Sequence, residues 1–162
     1  MRLLNKDNSV VLQNAVEKFG SFGKRCKDFF ASKEEWSATV PMGSLDHQGN
    51  LYKLNDRATV QLSDRLGAGS FLPALAERYG KEKNGEKQRV LTDLFVRTIN
   101  DLSGINDNPL LFRAVDNTIR AALSNQYVVL NNLELLLSTL ETVKKESEKN
   151  GVPLSSVKFD YE

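Results

Sequence analysis

The stretch LLFRAVDNTIRAALS, Leu110–Ser124, decides the fold class of this chain. Two short strand-like arms flank Asp116-Asn117, residues that tolerate tight turns and bond to their own backbone. The pair reads as a β-hairpin, with Arg113 on one arm and Arg120 on the other. The next stretch changes period. Leu133, Leu136, Leu137 and Leu140 recur at helical spacing and run on to Val143. With Asn131 as N-cap, Glu134 falls at N3, the spacing of a capping box with Asn in place of Ser or Thr. Glu141 and Lys145 make a favourable i,i+4 pair. This helix reads as a core element covering a sheet, with Val128-Val129-Leu130 packing its entry.

Upstream, Val11, Leu12, Ala15, Val16 and Phe19 predict a helix over 8–19. Asn8 or Ser9 caps it and Gly20 stops it. The segment GSFGKRCKDFFASKEE is compatible with either a short helix or an ordered loop. Trp36, Ala38 and Val40 then predict one arm of another hairpin, with Leu51, Tyr52 and Leu54 as the other arm. DHQGN supplies the turn, and Pro41 marks an edge strand. Asn55 caps a helix carrying Ala58, Leu62 and Leu66, which ends at Gly67. Ser70 caps a second helix, FLPALAERYG, and GKEKNGEKQ is a solvated connector. Val90, Leu91, Leu94, Phe95 and Ile99 form the stripe of a third. Val157, Phe159 and Tyr161 alternate as a final strand.

The order predicts an α+β fold: an antiparallel or mixed sheet built from two hairpins plus a C-terminal strand, with helices packed on one face. The expectation is a single α+β domain over 1–162, or the N-terminal part of a longer chain. At 162 residues the chain can bury one real core. It has no apolar run of membrane-spanning length, and its charged, Asn-bearing start is unlike a signal peptide. One cysteine, Cys26, forms no internal disulfide, so a cytoplasmic setting is expected. The net charge of +1 means that any nucleic-acid binding is local.

Constellations for catalysis are thin, and the reading leans away from an enzyme and from any cofactor. His47, the one histidine, lies beside Asp46 in the predicted turn and reads as solvated. Cys26 sits among Lys24, Arg25 and Lys27, but no second histidine completes a thiol–imidazole pair. A Cys/His zinc cage is excluded by the same counts. GAGS lacks the lysine and the length of a phosphate-binding loop.

The residues RAALSNQYVVLNNLELL, together with YKLNDRATVQLSDRLG and FLPALAERY, are similar to an uncharacterised family found in phages, prophages and plasmids. The resemblance covers Tyr52–Leu137, about half the chain. Asn125, Gln126 and Asn131 stand where the family usually has Asp, Arg and Asp. The resemblance implies a phage or mobile-element setting and carries no established activity.

Binding is the remaining chemistry. Arg113, Arg120, Lys53 and Arg57 accompany Tyr127, with Ser124 and Asn125 at a strand end. Cations beside aromatic rings on a sheet suit single-stranded nucleic acid, where phosphates pair with cations and bases stack. The expected function is single-stranded DNA binding of a recombination-associated kind, in a homo-oligomer. The alternative is a protein-interaction module acting on a host or phage partner, with Phe29, Phe30 and Trp36 as its apolar patch.

Overall fold

Asp116 adopts φ 53 and reverses the chain between β5 (Leu110–Val115) and β6 (Thr118–Ser124), the hairpin expected there. The structure, a computed structural model, describes residues 6–128 and 132–151. The expected final strand at Val157–Tyr161 and the Asn131 cap lie outside the described residues. In chain order the remaining elements are α1 (Lys6–Arg25), β1 (Cys26–Ala31), β2 (Trp36–Thr39), β3 (Ser44–His47) and β4 (Asn50–Leu54). Then come α2 (Asp56–Arg65), α3 (Phe71–Lys81) and α4 (Gly85–Gly104), and α5 (Asn132–Asn150) follows β6.

Two compact units divide the chain. One holds the described residues of Met1–Arg25 and Val129–Glu162, and the other is Cys26–Val128. In the first, α1 and α5 pack together. Leu133, Leu136, Leu140 and Val143 of α5 are half-buried in a stripe, while Leu137 is exposed. The Glu141–Lys145 pair forms at 3.1 Å. Gly20 does not stop α1, which runs on to Arg25, so the helix carries Gly20 and Gly23 in its interior at about 1 kcal/mol each.

In the second unit six strands form one mixed sheet in the order β1-β5-β6-β4-β3-β2. The segment left open between helix and loop contains an edge strand instead: β1 pairs antiparallel with β5, a partner far along the chain. The first predicted hairpin is a three-stranded meander. Between its two expected arms lies β3, pairing with β2 on one side and β4 on the other. Gly43 at φ 79, with Ser44 N–H donating to Pro41 O at 3.1 Å, makes the first reversal. Gln48 and Gly49, both at positive φ, make a tight second one.

The meander meets the β1-β5-β6 half at a short parallel seam, Lys53–Thr118 and Leu54–Ile119. Lys53 N–H donates to Asn117 O at 2.8 Å and Asn55 N–H to Ile119 O at 3.1 Å. Since β1 and β2 are opposite edges, a flat sheet would hold them about 24 Å apart. Only Ser32–Glu35 connect them, and five Cα steps reach at most about 18 Å. The sheet therefore curls strongly.

The concave face carries the core. Phe112, Leu45, Leu54, Ile119 and Ala122 meet Leu62, Leu72, Phe95 and Ile99 from α2, α3 and α4. Helices thus cover one face, as the pattern predicts. Asn55 caps α2, accepting from Ala58 N–H at 2.8 Å. Asn84 caps α4 through Glu86 and Lys87 N–H groups. Ser70 stands at the start of α3 without a side-chain cap bond.

Two helix-borne amides take over where strand pairing stops. Asn100 of α4 accepts from Ala38 N–H at 2.7 Å and donates to Ala38 O at 3.1 Å, pairing the outer edge of β2. Gln61 of α2 accepts from Ala122 N–H at 3.2 Å, beyond the end of the β4–β6 seam. Lys33 ties the β1–β2 corner to the end of α4 by donating to Asp107 at 2.7 Å and to Gly104 O at 3.4 Å. That cation meets the helix's negative end and holds the Asp107 carboxyl below its ordinary value.

Candidate nucleic-acid interface

Side chains on the strands alternate between faces, so the register fixes which residues share the convex face. One row runs Phe30, Leu111, Leu123. The next runs Asp28, Arg113, Ala121, and a third runs Cys26, Val115, Thr118, Lys53. Leu111 is fully buried, whereas Phe30 is 53% exposed. Tyr127 follows the strand end, where its N–H donates to Ser124 O at 3.1 Å, and its side chain is 48% exposed.

Arg113 is bonded. Its Nε donates to Asp28 Oδ1 at 3.0 Å, with the two side chains 30% and 21% exposed. The Asp28 bond is the main influence holding the guanidinium above its ordinary pKa, against partial burial. Tyr127 and Cys26 are near enough to add smaller contributions in the same direction. Two aromatic rings, an Arg–Asp pair and the end of β6 therefore belong to one region.

The other expected residues distribute unevenly. Lys53 shares the convex face and is exposed, one row and two strands from Arg113, about 12 Å away by strand spacing. Arg57 is exposed in the first turn of α2, and so belongs to the helix layer covering the concave face. Arg120 is the extra residue of a β-bulge: Arg113 pairs with Ala121 and Ala114 with Ile119, leaving Arg120 outside the ladder. Ser124 is half-buried opposite Leu110, and Asn125 is exposed in the turn after it.

The expected apolar patch of Phe29, Phe30 and Trp36 does not form. Trp36 is 6% exposed and Phe29 turns to the concave face, so Phe30 alone stays outside. Asp28 was missed by sequence reasoning, and Phe30 was expected only as part of that apolar patch. The alternation in CKDFFA was the available signal, but only pairing with β5 makes it a strand. His47 is not the solvated turn residue that was expected. It stacks on Phe29 with ring centroids 4.3 Å apart.

Cys26–Val128 carries thirteen Lys and Arg against thirteen Asp and Glu, so any anion affinity of this unit comes from arrangement. Among the described residues no cluster of His, Cys, Asp and Glu could hold a metal. The shallow cleft at Lys33, Trp36, Ser103 and Asn106 has no room for a water-sized guest. No described helix is long and apolar enough to cross a membrane. No family model, curated protein or solved structure matches the chain.

Proposed function

We propose that this chain binds single-stranded nucleic acid on the convex face of its sheet, in a phage, prophage or plasmid setting and alongside recombination. The observation that carries the reading is a half-exposed ring, Phe30, one row from the Asp28–Arg113 pair on the same face, with a second half-exposed ring, Tyr127, near Arg113. Base–aromatic stacking contributes about 1–3 kcal/mol per base and tolerates any sequence. Lys53 supplies a nearby phosphate contact. A setting of this kind is what the resemblance over Tyr52–Leu137 implies.

The test is fluorescence anisotropy with a labelled single-stranded oligonucleotide over a salt series. The reading expects binding at low salt and a shallow salt slope of about −1 to −2, because few unpaired cations share the face. Phe30→Ala and Tyr127→Ala each weaken binding roughly tenfold. Absence of binding at the lowest salt sinks the reading.

The second reading is a protein-interaction module. The 53% exposure of Phe30, the 73% exposure of Val128 and the balanced charge of the unit favour it. It expects Phe30→Asp to abolish association with a phage or host partner while oligonucleotides bind neither form.

A further inference from the structure

We infer that Asp28 and Arg113 form a base-reading pair that selects guanine, an inference that rests on the single-strand reading above. A guanidinium already bonded to a carboxylate attracts a phosphate weakly, because the pair is close to neutral. The same pair places an acceptor beside donors, which is the pattern that base edges present.

That pattern is partly exposed, with the Arg113 and Asp28 side chains 30% and 21% accessible. Only Arg113 Nε and Asp28 Oδ1 are joined, at 3.0 Å. Among the described residues, no other hydrogen bond engages Asp28 Oδ2 or the two Nη groups of Arg113. Phe30 lies two residues from Asp28 on the same face, about 7 Å along β1. A base stacked on the Phe30 ring therefore brings its edge over the Asp28–Arg113 row.

Among the four bases, guanine alone offers two adjacent N–H donors, N1–H and N2–H, next to the O6 acceptor. The Asp28 carboxylate accepts from the former and an Arg113 Nη donates to the latter. Thymine and uracil carry one ring N–H between two carbonyls. Cytosine and adenine carry an exocyclic amine beside a bare ring nitrogen, which repels the second carboxylate oxygen.

The experiment compares short oligonucleotides of equal length, all-thymine or thymine with isolated guanines spaced too far apart to form a quadruplex. Wild-type protein is expected to bind the guanine-bearing strand about tenfold tighter. Asp28→Asn abolishes that preference. It is expected to steepen the salt slope by about 0.7 as Arg113 becomes available to phosphate, and unfolding followed by the fluorescence of Trp36 reports separately that the variant is folded. Equal wild-type affinity for the two strands overturns guanine selection and leaves the single-strand reading standing. A preference that survives in Asp28→Asn overturns the role of the pair. No binding of either strand by either protein removes both proposals.

Discussion

Phe29 and His47 stack with ring centroids 4.3 Å apart and planes inclined by 19°, although β1 and β3 stand four places apart in the sheet. Flat strands at that separation lie about 19 Å apart, so the stack exists only because the sheet curls. The Phe29 ring also meets Tyr52 at 5.3 Å and Phe112 at 5.6 Å, and Trp36 meets Phe112 edge-on at 5.2 Å. Each half of the sheet contributes rings to this cluster. Where the backbone seam has two residue pairs, side chains join the halves.

Phe29 is therefore expected to matter more than its partial burial implies. Phe29→Ala should lower unfolding stability by about 2–4 kcal/mol, through lost burial and lost ring pairs. Trp36, the single tryptophan, reports unfolding by fluorescence. In a double-mutant cycle with His47→Ala, the coupling should be about 0.5–1.5 kcal/mol. A coupling near zero would show that the rings touch without supporting the curl.

The helices α2 to α4 and the β5–β6 hairpin were legible because their signals are local. Asn55 and the Ala58, Leu62, Leu66 spacing announce α2, and Asp116-Asn117 announces the turn. The strands β1 and β3 were not, because a strand exists by its partners. Nothing near CKDFFA in the sequence reveals that Leu110–Val115 will pair with it. The same dependence hid half of the site. Arg113 was visible as a cation on a strand, while Asp28, which neutralises it from a different strand, was not.

Ser63 tests the opposite kind of contact. It is fully buried on α2, and its Oγ has no hydrogen-bond partner among the described residues. Burying a hydroxyl without a partner costs about 1–3 kcal/mol. Ser63→Ala removes that cost at the loss of one oxygen, so it should be neutral or stabilising by up to about 1 kcal/mol. Urea unfolding of the two proteins decides, and a clear loss of stability would mean that the hydroxyl is satisfied in solution.

Glu35 gives the corner between β1 and β2 an acid dependence. Its carboxylate accepts from Ser32 N–H at 2.8 Å, from Ser32 Oγ at 3.0 Å and from Gln48 Nε2 at 3.3 Å. The Ser32 backbone bond, foremost, holds its pKa below the ordinary glutamate value. A depressed folded pKa contributes stability above the unfolded value, and that contribution is lost as pH falls through the folded one. Glu35→Gln should therefore be less stable than wild type at neutral pH and equal to it in acid below the glutamate range. The effect is small because the group is exposed and screened. Parallel denaturation curves with a constant gap across that range would refute the linkage.

Asn100 carries the sharpest structural prediction, because it serves as the neighbouring strand for an otherwise unpaired edge. Its amide matches the N–H and C=O of Ala38 as a ladder partner would, and it lies in a partly buried setting. Asn100→Leu keeps the volume while leaving both backbone groups unsatisfied, at a cost of about 2–3 kcal/mol. Asn100→Asp retains the acceptor for Ala38 N–H but sets a carboxylate oxygen against Ala38 O, so it should be no better. An exposed edge also recruits other edges. The Leu variant should therefore show concentration-dependent association by light scattering under conditions where wild type keeps a constant apparent mass. If it loses stability without associating, Asn100 holds α4 to the sheet without guarding the edge. If it loses neither, the paired geometry at Ala38 has no energetic role.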